Sequence, residues 1–224
     1  MVTIVVSIFN RPNYTVKSIE SLHKVIKNRV EVVFVDDFST PQNTAAIKDF
    51  INQTGMTNYK YYVNEIRLGI ERGVFFFPMY VDTPYVYISD NDVIYSSMFY
   101  EKLKESVKYM SSHSNPNMAI TLFDTPAHSP VGEFEGYNLK HTVGGVSLLV
   151  KKDVFNKALT FTVRNGYCDS RKTSWDYGVS KYFEVNHGKL LVTNESYVQH
   201  IGEEGLHSRK SIPSSFVQAG NFIK

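Results

Sequence analysis

Cysteine is almost missing from this chain: Cys168 is the single one in 224 residues. One thiol closes no internal disulfide and supplies no cysteine-based zinc cluster, so a reducing, cytoplasm-like compartment is expected. An excess of one charge is missing too, because 24 basic residues meet 22 acidic ones for a net +2. The basic residues are also scattered, which removes the electrostatic footprint of a dedicated nucleic-acid binder. No window reaches the ~18 uninterrupted apolar residues of a membrane span. The run Gly73 to Val81 is broken by Pro78 and followed by Asp82. The opening Met1 to Phe9 has no basic leader and no small-residue cleavage site, so it reads as a first strand of a soluble protein. Internal repeats, low-complexity tracts and sharp composition breaks are lacking. The chain stops at Asn221-Phe222-Ile223-Lys224 without a clear terminal element, which is what an excised part of a larger enzyme, with further domains, would look like.

What is abundant is apolar material: 42% hydrophobic and 14% aromatic residues suffice for a packed core. Val2 to Phe9 is a β-branched run suited to a strand buried on both faces, followed by the turn cluster Asn10-Arg11-Pro12-Asn13. Val16, Ile19, Leu22, His23 and Ile26 then recur at helical steps, and Val30 to Val35 reads as a second buried strand ended by Asp36-Asp37. Strand, helix, strand is a βαβ unit. A helix over Gln42–Gln53, a strand over Tyr59–Val63, a helix-like segment over Ile70–Tyr80 and a strand over Tyr85–Ser89 continue the pattern. Beyond it come a helix over Met98–Ser111, strands over Met118–Phe123 and Gly145–Val150, a helix between Asp176 and His187, and strands over Lys189–Thr193 and Tyr197–His200. Residues 124–145 show no clear period. The whole reads as one α/β domain.

The strand ending at Ser89 delivers Asp90-Asn91-Asp92. Two carboxylates one residue apart at a strand end can hold a hard divalent cation that keeps positions for substrate phosphates, although Asp and Asn also cluster in ordinary turns. Parallel sheets bind ligands at the carboxyl ends of their strands, where Asn10-Arg11, Asp36-Asp37 and Asp90/Asp92 all fall.

The segments Val5-Val6-Ser7-Ile8-Phe9-Asn10-Arg11-Pro12, Val33-Phe34-Val35-Asp36-Asp37-Phe38-Ser39 and Tyr87-Ile88-Ser89-Asp90-Asn91-Asp92 resemble, in order and spacing, the nucleotide-sugar-binding half of GT-A fold glycosyltransferases of family 2. Gly144 to Phe155 is similar to the family's acceptor-side strand, Ser174-Trp175-Asp176-Tyr177-Gly178 to its catalytic-acid segment, and Val198-Gln199-His200-Ile201-Gly202 to its metal-proximal histidine motif. The resemblance implies a Rossmann-like, mostly parallel sheet flanked by helices with a smaller acceptor-side sheet. Residues 1–93 would be the donor half and 94–224 the acceptor half. Asp37 would accept the base's N3–H, Asp36 would orient the loop, and Asn10, Arg11, Arg67 and Asn91 would join the donor site. Asp92 would ligate Mn²⁺ or Mg²⁺, Asp90 would reach the ribose or the metal, and His200 would be a third ligand. Asp176 would be the general base. Each has a plainer alternative: a turn or helix cap for Asp36, Asp37 and Asp176, and a surface position for Arg67 and His200. Trp175 could stack on a sugar or belong to the core.

Asp169, Glu203 and Glu204 are rival acids, and 203–210 would be a lid presenting Arg209 and Lys210 to phosphates. His128, His141 and His207 show no metal-ligand spacing and are expected on the surface or in acceptor loops. The function expected is an inverting, metal-dependent transfer of a hexose-type sugar from a nucleoside diphosphate sugar, a UDP-sugar in preference, to a hydroxyl of a glycan or protein-linked glycan acceptor. A sugar-nucleotide or glycan-binding module without turnover is the alternative, as is a sugar nucleotidyltransferase. For the last, the loop Asn10-Arg11-Pro12-Asn13 lacks the glycines that cradle a triphosphate.

Overall fold

The computed structural model describes residues 1–126, 128–168, 173–202, 219 and 221–224. Four parallel strands form its first half: β1 (Val2–Ile8), β2 (Glu31–Asp36), β3 (Tyr59–Val63) and β4 (Tyr85–Asp90), in the spatial order β3-β2-β1-β4. The chain therefore steps outward from β1 to β3 and returns to the other side of β1 with β4. That reversal opens a crevice at the carboxyl ends of β1 and β4. Register places Ile8 opposite Asp36 and Ser7 opposite Asp90, so the acidic strand ends align along one edge.

Alternation along these strands fills two cores. Ile4, Val6 and Ile8 of β1, Phe34 of β2 and Tyr87 of β4 face Ile19, Leu22 and Ile26 of α1 (Pro12–Ile26), Ile47 and Ile51 of α2 (Pro41–Thr54), and Phe99 and Leu103 of α4 (Phe99–Ser112). Val5, Val33, Val35, Val86 and Ile88 face the opposite side, against Phe155 and Leu159 of α5 (Lys152–Arg164) and Trp175 and Val179 of α6 (Trp175–Val185). Proline opens both α1 and α2 at their first turn, where a missing N–H loses no bond.

The segment expected as one helix over Ile70–Tyr80 is a short α3 (Ile70–Gly73) running into a 3-10 helix over Val74–Tyr80. Pro78 lies inside the latter and cannot donate an α-helical hydrogen bond. The remaining strands extend the same sheet: β6 (Met118–Thr121), β7 (Pro130–Phe134), β8 (Tyr137–Lys140), β9 (Ser147–Lys151) and β10 (Lys189–Val192), in the order β4-β9-β6-β10-β8-β7. β9 is antiparallel to both β4 and β6. The β7–β8 hairpin lies in the stretch that showed no period. Its β7 is exposed along most of its length, so no buried alternation marks it. The strand expected over Gly145–Val150 is β9, and the acceptor-side segment continues from Lys152 as α5, which buries Val154, Phe155, Ala158 and Leu159. A second, two-stranded sheet pairs β5 (Val93–Tyr95) with β11 (Val198–His200). Among the described residues no helix is long and apolar enough to cross a membrane.

Candidate donor and metal site

The loop after β1 turns sharply through two left-handed residues, Asn10 (φ 52) and Arg11 (φ 56). Hydrogen bonds hold this uncommon backbone. Asn10 N–H donates to Ser39 Oγ at 2.7 Å, and Asn10 Oδ1 accepts from Thr40 N at 3.0 Å and Asn43 Nδ2 at 2.9 Å. The Asn10 side chain thus ties the β1 loop to the start of α2. The turn sends Arg11 inward, where its guanidinium lies 4.4 Å over the Tyr14 ring and Nη1 donates to Asp92 Oδ2 at 2.7 Å. Its Nη2 is buried with no hydrogen-bond partner among the described residues.

Asp36 is fully buried and acts within the loop. It accepts from Ser39 N at 2.8 Å, Thr44 Oγ1 at 2.8 Å and Tyr61 Oη at 2.9 Å. Asp37 is half-buried and gathers the β3–α3 loop, accepting from Asn64 Nδ2 at 3.0 Å, Leu68 N at 2.8 Å and Gly69 N at 2.7 Å. An ionised carboxylate has about four acceptor positions, so Asp37 keeps one for a further donor. Arg67 is exposed and stacks 4.3 Å over the Phe9 ring, beside the β1 loop. Asn91 is turned the other way: it is buried and donates to Thr15 Oγ1 of α1 at 2.7 Å.

Pairing of β5 with β11 sets His200 opposite Val93, and Ile201 N donates to Asp92 O at 2.8 Å. This brings one ligating atom each from Asp90, Asp92 and His200 within 4.8 Å of one another. His200 Nε2 lies 3.1 Å from Asp92 Oδ1. Gly202 closes the floor, where a Cβ would stand 2.0 Å from Asp92 Oδ2 and 2.9 Å from Arg11 Nη2.

The electrostatics are those of a site short of positive charge. Burial pushes the Asp90 carboxyl up to about 7, with Asp92's charge adding and His200 and Ser7 opposing. Burial also disfavours the Asp92 carboxylate, but the hydrogen bond and charge of His200, together with Arg11, overcome it and hold Asp92 below its ordinary value. His200 is raised in turn: burial disfavours its imidazolium, and the Asp92 hydrogen bond and charge outweigh that. Two carboxylates and an imidazole are a fitting donor set for Mn²⁺ or Mg²⁺. The close approach of the three ligating atoms and the suppressed ionisation of Asp90 agree with a cation belonging among them.

Asp176 sits in the first turn of α6, half-buried, and its charge adds to the upward shift of Asp90. Its Oδ2 accepts from Gly145 N at 2.9 Å and its Oδ1 from Tyr177 N at 2.8 Å and from the Ser174 hydroxyl. Gly145 allows this approach because a Cβ there would lie 2.5 Å from Trp175 Cζ2. Trp175 is 4% exposed and packs edge-on to Phe155, so it belongs to the core.

Two neighbours of Asp176 stand outside the site read from the sequence, where His128 was expected on the surface or in an acceptor loop. Glu71 of α3 accepts from Trp175 N at 2.7 Å. Half-buried His128 meets Thr142 Oγ1 through Nδ1 at 2.8 Å and feels Asp176's charge. Neither carried a local signal, since only tertiary folding brings them to α6. Asp169, Glu203, Glu204, His207, Arg209 and Lys210 lie outside the described residues.

Known proteins share this architecture. S. aureus TarS 1–349 in complex with UDP-GlcNAc superposes with a TM-score of 0.64 at 17% identity, over 94% of this chain and 61% of that one. GalNAc-T7 with UDP, GalNAc and Mn²⁺ gives 0.68 at 15% identity, over 95% and 45%. The mannosyltransferase PcManGT from Pyrobaculum calidifontis with GDP-Man and Mn²⁺ gives 0.60 at 15% identity, over 88% and 58%. In sequence, an uncharacterized glycosyltransferase of Rickettsia bellii (strain RML369-C) is 25% identical over 138 residues, 54% of this chain and 20% of that protein. The chain thus spans about a fifth of that relative's length. Residues 3–114, half of the chain and the four parallel strands β1–β4 but for the first residue of β1, match the model of glycosyl transferase family 2, and with its GT-A fold the chain belongs to that family.

Proposed function

We propose that this chain is a metal-dependent, inverting glycosyltransferase that moves a sugar from a nucleoside diphosphate donor, a UDP-sugar in preference, to a hydroxyl of a glycan. The observation that carries the reading is the gathering of Asp90, Asp92 and His200 at the carboxyl edge of the parallel strands, with Arg11 beside them and Asp176 near enough for its charge to bear on Asp90. The occupants of the similar structures, UDP-GlcNAc in TarS, UDP and Mn²⁺ in GalNAc-T7, GDP-Man and Mn²⁺ in PcManGT, support this choice of donor class and cofactor.

In this reading Asp90, Asp92 and His200 hold Mn²⁺ or Mg²⁺, and the ion supplies Lewis-acid stabilisation of the charge that grows on the departing diphosphate. Arg11 adds a fixed positive charge whose free, buried Nη2 suits a phosphate oxygen. Asp37 offers its remaining acceptor position to the base N3–H, with Arg67 and Asn10 at the rim of the same loop. Asp176 accepts the proton of the acceptor hydroxyl as its oxygen attacks the anomeric carbon. The Gly145 and Tyr177 N–H groups orient that carboxylate. A single base opposite the leaving group gives displacement in one step with inversion.

The experiment is release of UDP or GDP from a panel of sugar donors with Mn²⁺, Mg²⁺ or EDTA, using wild type and Asp176→Asn. Metal-dependent turnover by wild type, lost in the variant while nucleotide binding survives, supports a transferase. Metal-dependent binding without turnover in either protein points to a binding module.

A further inference from the structure

The helix that carries Asp176 starts without a cap of its own. Ser174 stands in the cap position, but its hydroxyl is turned to the Asp176 carboxylate and makes no cap hydrogen bond. The first four N–H groups of a helix have no intrahelical partner, and burial makes leaving one unmet unfavourable. Tyr177 N is met by Asp176 itself, and Trp175 N by Glu71 Oε2 at 2.7 Å across a separation of 104 residues. Glu71 is therefore a cap for α6 supplied from the donor half of the molecule.

The segment that presents Glu71 is itself anchored. Asp37 holds Leu68 N and Gly69 N, and Gly69 O accepts from Arg72 N at 3.1 Å and Gly73 N at 2.8 Å to open α3. One continuous set of hydrogen bonds thus runs from Asp37 through 68–73 to the first turn of α6. The Trp175 ring, packed on Gly145 and Phe155, leaves little room for that turn to adjust.

We propose that Glu71 is a positioning residue for Asp176: by holding Trp175 N–H it sets the first turn of α6 and hence the direction of the Asp176 carboxylate, and it ties that direction to the loop gathered by Asp37. This rests on the transferase reading given above. Displacement of a reacting group by about 1 Å can lower a rate on the order of 100-fold, so a lost cap need not unfold the protein to be felt. The Glu71 carboxyl is pushed up to about 7 by burial, with Asp176's charge adding and the Trp175 N–H opposing, in keeping with two acids sharing one helix start.

Glu71→Gln keeps an acceptor oxygen for Trp175 N–H, whereas Glu71→Ala removes it. The test compares kcat, donor KM, the nucleotide-induced shift in melting temperature with Mn²⁺, and amide hydrogen exchange over 174–180. In Glu71→Ala, kcat should fall at least about tenfold with donor KM and the nucleotide-induced shift nearly unchanged, and exchange of the Trp175 amide should rise. Glu71→Gln should restore kcat to within about threefold of wild type and keep the amide protected. Wild-type kcat in Glu71→Ala, an equal loss in both variants, or unchanged exchange would overturn the proposal. If wild type transfers sugar from no donor, the transferase reading fails by itself. The exchange comparison then still decides whether Glu71 holds α6, a rise upholding the tie and its absence refuting it.

Discussion

Replacing Gly202 by alanine adds one methyl group at the tightest point of the site. That carbon would stand 2.0 Å from Asp92 Oδ2, 2.8 Å from Asp92 Cγ and 2.9 Å from Arg11 Nη2. The carboxylate cannot simply swing aside, because Arg11 holds one oxygen at 2.7 Å and His200 lies 3.1 Å from the other. Either the 201–202 backbone retreats, straining the Ile201 N to Asp92 O bond, or Asp92 breaks from Arg11. Overpacking of this kind costs about 1–3 kcal/mol, and a charged hydrogen bond is worth about 1.5–3 kcal/mol net. The two outcomes are alternatives more than additions, so about 3 kcal/mol is expected. At roughly 2–4 °C per kcal/mol for a domain of this size, the melting temperature should fall by about 6–12 °C. Differential scanning calorimetry reads this directly, and Mn²⁺ titration should show weakened binding in the same variant. The control is Asp92→Ala, which removes the nearest two atoms of the clash. In that background Gly202→Ala should lose more than half of its effect, leaving the Arg11 contact. A Gly202→Ala protein as stable as wild type, or equally destabilised with and without the Asp92 carboxylate, would refute the packing described for this site.

Asp92→Ala should abolish Mn²⁺-dependent nucleotide binding and destabilise by about 1–3 kcal/mol, since the buried parts of Arg11 and His200 lose their partner. Calorimetry with and without EDTA checks both. Asp176→Asn should lower kcat by about 10²–10⁴-fold while nucleotide affinity stays within a few-fold, as for loss of a general base. Glu71, raised from 4.5 to about 7, favours its protonated form in the folded state. Its contribution to stability is full below pH 4.5, declines through the window up to about 7 and is absent above it. Glu71→Gln lacks this loss, so it should gain on wild type from pH 5 to pH 8 by about 1 kcal/mol after allowing for the half-exposed carboxyl, read as about 2–4 °C in melting temperature. An equal difference at both pH values would count against the buried, paired Glu71.

The parallel half was legible because its signals are local: Val2–Ile8, Glu31–Asp36 and Tyr85–Asp90 are apolar runs that end in carboxylates or a turn cluster, and βαβ order aligns those ends. The acceptor half was less so. α5 carries a helical spacing in Val154, Phe155, Ala158 and Leu159, but it follows β9 without a turn to mark its start and was not expected. The β7–β8 hairpin is largely exposed, so burial left no alternation to read. Within the site, motif residues such as Asp90, Asp92 and Asp176 stood out, whereas Asn91, expected in the donor site, is buried and donates to Thr15. Glu71, Gly145 and Gly202 matter through distances to residues far away in sequence, and no spacing along the chain encodes such a distance.

Isothermal titration of UDP and GDP into the protein with Mn²⁺, and again in EDTA, decides whether Asp90, Asp92 and His200 build a metal-dependent nucleotide site. One nucleotide should bind with Mn²⁺ and lose at least about tenfold in affinity in EDTA, with the metal-dependent part missing in Asp92→Ala. Binding indifferent to the metal, or no binding of either nucleotide, would contradict a nucleotide-sugar site built on Asp90, Asp92 and His200.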